Sequence, residues 1–336
     1  MALFLARRLS LVLPVLGGLV ILVFVLTRLL PGDPAAMLAG EDATAETIAK
    51  IRTELGLDRP VPVQAWHYLR QVLTGDFGTS TFTHRSIAAD ITDRLPATIE
   101  LAFSALLLAI LCGVPLGLLS AANHNRTIDH LMRPLNVLGL ALAPFWLAMS
   151  LQLLFAMRLD ILPLQGQLDV GTAMPPRVTG LVTVDALLAG RFGTALEALR
   201  HLILPAVTLA APAMATLVRF TRSSALEVLQ QDFVSYARAM GLPWRKIFWK
   251  YVLRNSLSAT VTQIGLLTGA LMSGSVVVEA LFVWPGLGQY MFNAVTTSDY
   301  QPVIATTLAV GLIYALVNVT VDMVQGLIDP RITSRP

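Results

Sequence analysis

Charge is the property this sequence has least of. Only 13% of its 336 residues are Asp, Glu, Lys or Arg, against 55% apolar. Soluble domains carry about a quarter of their residues as charges, so a water-exposed globule is excluded. Cysteine is nearly absent too: Cys112 stands alone in an apolar run, which rules out an internal disulfide. No Gly-Lys pair occurs, so there is no G-x-x-x-x-G-K-[ST] loop to cradle nucleotide phosphates. H-E-x-x-H and G-x-S-x-G are missing as well. The histidines at 67, 84, 124, 130 and 201 are dispersed, so no metal site within one segment is expected. An intramembrane enzyme is a poor reading, and no catalytic residue or cofactor is assigned.

What is present is a series of long uncharged runs, at 9–27, 101–125, 134–157, 202–218, 255–278 and 300–321. Crossing a bilayer takes about 18 or more mainly apolar residues. The expected fold class is all-α, a polytopic membrane protein with six transmembrane helices. The run 202–218 is the shortest and contains Pro205 and Pro212. Residues 280–298 also lack charge, but "WPGLGQY" interrupts them and "NAVTTS" is polar; a short external or re-entrant segment is expected there. Arg7 and Arg8 precede the first run as in a signal peptide. That run is too long for one and lacks a clear cleavage site, so it reads as a retained first helix.

The charges that do occur are sorted by segment. Residues 219–254 hold seven Arg or Lys against two acids, whereas 31–96 hold six against nine. Basic loops stay inside, which places both termini, 122–133 and 219–254 in the cytoplasm. In the external 31–96 segment, Thr44 suits the cap of a helix with Ile48, Ile51 and Leu55 on one face. A short helix is expected near 183–189 in the second external loop. Glu100, Glu279 and Arg28 near the span ends are read as helix caps or snorkelling groups, and Asp322 as an interhelical hydrogen-bonding group. A proton-driven carrier, the opposing class, needs more buried carboxylates than these. Gly113-x-x-x-Gly117 and Gly265-x-x-x-Gly269 permit close helix contact.

One segment stands apart: "DFVSYARAMGLPWRKIFWKYVLRN", residues 232–255. Asp232 suits the cap of a short helix through Tyr236, Ala237 and Ala239, and Gly241 suits the left-handed residue that ends it. Pro243 fits the first turn of a second helix. That helix would carry Ile247, Tyr251 and Arg254 on one side and Trp244, Phe248 and Val252 on another. Apolar and aromatic groups ringed by Arg and Lys read as a protein-docking site; a helix lying on anionic headgroups is the alternative.

This stretch resembles the "EAA" loop of ABC-transporter permeases, in the form used by the dipeptide and oligopeptide (and nickel) uptake family. The matching residues are Asp232, Phe233, Val234, Ala237, Arg238, Ala239, Gly241 and Leu242, then Leu253, Arg254 and Asn255; Ser235 replaces the eponymous glutamate. "RLLPGDPA" (28–35), "GDFGTS" (75–80), "RLPATIELA" (94–102), "HLILPA" (201–206), "TRSSALEVL" (221–229), "FVWPGLG" (282–288), "DYQPV" (299–303) and "DPR" (329–331) are similar to the family in the same order. The short leading tail is similar to that of its B-type subunit.

The resemblance implies a type I ABC importer transmembrane fold in the bacterial inner membrane. It implies a first helix plus external loop over 1–95 and a permease core over 96–330, with a coupling loop about 219–257. Asp232, Phe233, Tyr236, Ala237, Arg238, Ala239, Gly241, Leu242, Arg254 and Asn255 are its expected ATPase-coupling residues, with Ala237, Ala239 and Gly241 giving close approach. Arg238 and Arg254 are expected to pair with acids on the partner or on the loop itself, where Asp232 and Glu227 are the internal candidates. Expected partners are a second, C-type permease, one or two ATP-binding subunits and an external solute-binding protein; no nucleic acid is involved. Cargo would be dipeptides or oligopeptides, with nickel or metal chelates, glutathione, D-amino-acid dipeptides or haem as alternatives. "GDP" and "WPGLG" are expected to shape the mouth or meet the binding protein. No substrate-path residue is assigned.

Overall fold

The structure, a computed structural model, describes residues 14–25, 44–54, 58 and 60–328. Arg7, Arg8, Arg28, Leu55, "RLLPGDPA" and "DPR" lie outside the described residues, as do the side chains of Ile48, Ile51 and Asp322.

Contacts divide the chain into two units. The larger comprises Met1–Leu5, Arg94–Phe292 and Leu316–Pro336, and the smaller Ala6–Asp93 and Asn293–Ala315. In chain order the helices are α1 (Pro14–Val25), α2 (Ala45–Glu54), α3 (Val61–Thr74), α4 (Ile87–Ala122), α5 (Thr127–Ala141) and α6 (Pro144–Leu151, widening into a π-helix over Gln152–Arg158). They continue as α7 (Val182–Leu188), α8 (Phe192–Leu229), α9 (Asp232–Ala239), α10 (Trp244–Lys246, running through a π-helix at Ile247–Val252), α11 (Leu253–Leu281), α12 (Leu287–Thr296) and α13 (Tyr300–Ile328).

Four of these, α4, α8, α11 and α13, are long and apolar enough to cross a bilayer. They carry the runs expected at 101–125, 202–218, 255–278 and 300–321. The run 134–157 departs from the expectation of one straight span. It bends by 103° between α5 and α6. Pro144 is the cause: its ring disfavours helical backbone in the residue before it, and Leu142 and Ala143 are extended, with ψ of 122° and 132°. The described part of the first run is α1, twelve apolar residues.

In the larger unit α8 is the hub, with α5, α7 and α11 packed on it. Its apolar window is also the most buried of the four spans. That explains why the run looked weakest in the sequence: a helix wrapped by protein need not be oily all round, and its neighbours tolerate Pro205 and Pro212. Gly113 and Gly117 of α4 lie against it. A Cβ on Gly113 would sit 2.9 Å from Leu217 Cβ, and one on Gly117 2.8 Å from Thr221 Cβ. The small-residue spacing therefore does bring two backbones together. On the α11 side, Ser224 Oγ donates to the Ser256 carbonyl at 3.2 Å, and the Thr221 and Thr260 hydroxyls meet at 3.4 Å.

In the smaller unit, Thr44 Oγ1 accepts the Thr47 N–H at 3.3 Å, so α2 begins as expected. Asp299 gathers the 78–86 turn, accepting from Ser80 Oγ (2.7 Å) and the Thr81 N–H (2.8 Å). "GDFGTS" and "DYQPV" thus meet across more than two hundred residues of chain.

Candidate functional site: a glycine-broken hairpin on the helix bundle

The segment 230–255 folds as two short helical pieces around Gly241. Gly241 has φ +76°, in the left-handed region where a side chain costs most. Its N–H donates to the Arg238 carbonyl (2.9 Å) and that of Leu242 to the Ala237 carbonyl (3.2 Å), the paired bonds of a Schellman stop. Leu242 then folds back onto the cluster containing Ala237. The helix start differs from the expectation. Gln231 is the extended cap residue and Asp232 already has helical backbone, an acid in the first turn that favours the helix dipole instead of bonding an N–H. Pro243 is likewise the extended residue before α10 rather than within its first turn.

The second piece is not the regular helix read from the sequence. The π-helix over Ile247–Val252 advances fewer degrees per residue, and this changes which side chains share a face. Ile247, Phe248 and Val252 are buried together, while Trp244 and Arg254 face out and Tyr251 is half-buried. The buried three join Val234 and Ala237 of α9, Leu118 and Ala121 of α4, and Ala225 and Val228 of α8 in one apolar cluster. Burying an aliphatic or aromatic side chain contributes about 1.5–3 kcal/mol. The hairpin is therefore seated on the ends of two long helices.

Its outer face is left uncovered. Tyr236 is 70% exposed, Trp249 57% and Trp244 42%. Phe233, Arg238, Ala239, Met240 and Gly241 accompany them, and Arg238 lies over the Trp244 ring at 5.1 Å, bridging the glycine break. Among the described residues neither Arg238 nor Arg254 forms an ion pair, so Asp232 and Glu227 are not their partners here. Asn255 Nδ2 donates to the Tyr251 carbonyl of its own helix at 2.8 Å. Of the ten expected coupling residues, Ala237 is buried and Leu242 half-buried; the other eight are exposed.

Joining α5 to α8 is a polar clamp that the sequence did not reveal. The fully buried Asp129 of α5 takes Arg222 of α8 through Nε (2.6 Å) and Nη2 (3.0 Å). It also accepts from Ser120 Oγ (2.7 Å), the Asn125 N–H (3.0 Å) and Arg133 Nη2 (2.9 Å). The only sequence trace was Arg222 within "TRSSALEVL".

The carboxylates near the span ends act as caps. Glu100 accepts the Val182 and Thr183 N–H groups and the Thr183 hydroxyl at the start of α7. Glu279 accepts the Gly288 N–H (2.7 Å) at the start of α12. The "WPGLG" turn is itself buried. Trp284 Nε1 donates to the Ala97 carbonyl (2.8 Å) and the Leu287 N–H to Thr98 Oγ1 (2.8 Å). Phe282, Trp284 and Leu287 are each 1% exposed, so these side chains are not a docking surface. Gln152, a polar side chain in the bent span, donates to the Leu164 and Leu281 carbonyls.

The structure thus presents a hub helix, α8, with a glycine-broken hairpin seated at its end. The model of the family described as "Binding-protein-dependent transport system inner membrane component" matches residues 113–334, and that of its N-terminal region matches 1–102. The chain belongs to this family. Curated relatives span nearly its full length. The probable D,D-dipeptide transport system permease protein of Escherichia coli (strain K12) is 42% identical over 95% of this chain and 94% of its own. The dipeptide transport system permease protein of Alkalihalophilus pseudofirmus is 39% identical over 97% and 98%. The glutathione transport system permease protein of Salmonella typhimurium is 37% identical over 97% of each. A solved inward-facing structure of the MetNI methionine ABC transporter covers 69% of this permease and 93% of its own chain, at 17% identity and TM-score 0.51; that likeness shows the fold. The permease is therefore a multi-pass inner-membrane component of a binding-protein-dependent ABC importer.

Proposed function

We propose that this permease carries dipeptides and other short peptides inward, and that the 232–255 hairpin is where a separate ATPase subunit takes hold. The observation that carries the reading is the hairpin's two-sidedness. Val234, Ala237, Ile247, Phe248 and Val252 anchor it to the ends of α4 and α8, while Phe233, Tyr236, Trp244 and Trp249 face outward. An exposed aromatic patch flanked by Arg238, Arg245 and Lys250 fits a partner groove lined by apolar and acidic groups. Seated in such a groove, the hairpin transmits the closure of two ATPases to the long helices it is packed on. The helices then shift between two packed arrangements, open to one side and then the other. ATP hydrolysis belongs to those subunits, in keeping with the lack of a Gly-Lys phosphate loop.

The basic 219–254 segment lies on the cytoplasmic side in this reading, with both termini. A homologous C-type permease completes the pore, and a binding protein delivers solute from outside. Short peptides are favoured over nickel, chelates or haem because the dipeptide, D,D-dipeptide and glutathione relatives all take peptide-like solutes by name.

Two measurements test this. A photo-crosslinker at Tyr236 in the assembled transporter is expected to trap a nucleotide-hydrolysing subunit; adducts only with lipid headgroups overturn the coupling role. Gly241→Pro is expected to abolish uptake and disconnect ATPase activity from solute while the chain still inserts, and normal uptake by that variant contradicts the hinge. Cargo is read by competition of uptake between di- and tripeptides and nickel chelates, using the cognate binding protein.

A further inference from the structure

Far along the chain from the hairpin, three metal-capable side chains converge. Asp169, in the segment following α6, meets Glu197 and His201 on the first turns of α8, with their ligand atoms all within 4.8 Å of one another. Glu197 and His201 are four apart and so share one helix face. His201 is 5% exposed. Its Nδ1 faces two backbone carbonyls, Gln165 at 3.0 Å and Gly166 at 3.2 Å. Carbonyl oxygens only accept, so Nδ1 carries a proton, which leaves Nε2 as the ring nitrogen open to a ligand. That Nε2 is buried and forms no hydrogen bond, although Asp169 Oδ1 stands 3.3 Å away. Carboxylate oxygens are acceptors as well. Nε2 and the two carboxylates thus converge with no hydrogen bond joining the ring nitrogen to either acid.

We propose that Asp169, Glu197 and His201 bind a divalent transition-metal ion, which ties the 165–169 segment to the start of α8. A neutral histidine fixed by a second-nitrogen bond to backbone carbonyl is the usual posture of a metal ligand. One imidazole with two carboxylates suits zinc, cobalt or nickel at about 2.0–2.2 Å from each ligand atom. Bringing the three groups to that range takes a small inward movement. Asp169, 73% exposed at its side chain, supplies it and leaves a coordination position for water. Glu197 is already oriented, since it accepts the Asp169 N–H at 2.7 Å. Gly166 is held from the other side, its N–H donating to the Phe282 carbonyl at 2.9 Å, so the His201 support does not move with the ligands.

The test uses the full chain, without a polyhistidine tag, in lipid nanodiscs after treatment with EDTA. Titration with cobalt(II) is expected to give one equivalent of ligand-field absorption per chain, displaced by zinc. Glu197→Gln and Asp169→Asn, neither in the apolar core, are each expected to weaken cobalt binding at least tenfold while the metal-free variants melt like wild type. His201→Gln is expected to remove the absorption, and its melting curve shows whether the bundle survived. Absence of a stoichiometric absorption in wild type, or unchanged titration of both carboxylate variants, overturns the proposal.

Discussion

The 232–255 hairpin and the 282–288 turn are built from the same materials and used in opposite ways. Each combines glycine with a tryptophan beside a proline, and each follows a long apolar helix. In the turn, Trp284 is buried with its indole N–H bonded to Ala97, and Glu279 and Thr98 take the N–H groups that open α12. Every strong group looks inward. In the hairpin, Trp244 and Trp249 are exposed and Gly241 has nothing within 4 Å of where a Cβ would stand. What differs is whether the aromatic side chains find partners within the chain; in the function proposed above, those of the hairpin find theirs on another molecule.

The two glycines break that comparison most sharply. A Cβ on Gly286 would run into the Glu279 carboxylate and the Thr98 hydroxyl, both buried. Gly286→Val is therefore expected to destabilise the bundle by more than about 4 kcal/mol, read as loss of membrane-inserted, detergent-stable protein. Gly241→Ala meets no atom, and its cost is the left-handed backbone alone, about 1–2 kcal/mol. It should insert and melt nearly normally while uptake falls. Equal melting losses for the two variants would erase the distinction.

Next in size is the Asp129–Arg222 clamp between α5 and α8. Removing one partner of a buried ion pair costs about 3–5 kcal/mol; Arg133 still meets Asp129 when Arg222 is lost, so Arg222→Met is expected to lower the melting temperature by less than that full cost, and Asp129→Asn, which keeps the Ser120 contact, is measured beside it. The tryptophans give a smaller contrast. Trp284→Phe removes the indole N–H bond to the buried Ala97 carbonyl, at about 0.5–1.5 kcal/mol. Trp249→Ala, on the exposed face, should change stability by no more than about 0.5 kcal/mol yet weaken ATPase recruitment in a pull-down of the assembled transporter.

Much of this was legible in the chain. Gly241 and Pro243 announced a broken hairpin because both act locally, through backbone angles that neighbours scarcely alter. Uncharged runs marked α4, α8, α11 and α13 because oil solubility is a property of composition. The bend at Pro144 was hidden by that same logic: a charge-free window reports hydrophobicity and says nothing of direction. The π-helix at Ile247–Val252 escaped for a related reason, since periodicity assumes the regular turn that it breaks. Least legible were the pairings of distant polar groups, Asp129 with Arg222, Ser80 with Asp299 and Glu279 with Gly288. The phrases holding several of these residues carried the family resemblance, but which phrase meets which is decided only by the fold. Glu197 and His201 stand four apart in the sequence, but Asp169, which joins them, comes from another segment and is placed only by the fold.

The smallest expected effect concerns a turn that, like "WPGLG", keeps its polar groups to itself. Asp185 is buried, which works to raise its pKa. The Thr179 N–H and hydroxyl, the Gly180 N–H and the Val178 N–H all donate to it, and together they outweigh burial and hold the carboxyl below its ordinary value. A group whose folded pKa is depressed contributes stability above its unfolded pKa and loses it as pH falls through the folded one. The 178–181 turn should thus stay protected from hydrogen exchange at neutral pH and open only below about pH 4, the unfolded carboxylate's range. Asp185→Asn is expected to exchange faster at neutral pH and to show no acid transition. If that variant keeps the wild-type transition, another carboxylate governs the turn, and the self-sufficiency ascribed to this end of the bundle would not rest on Asp185.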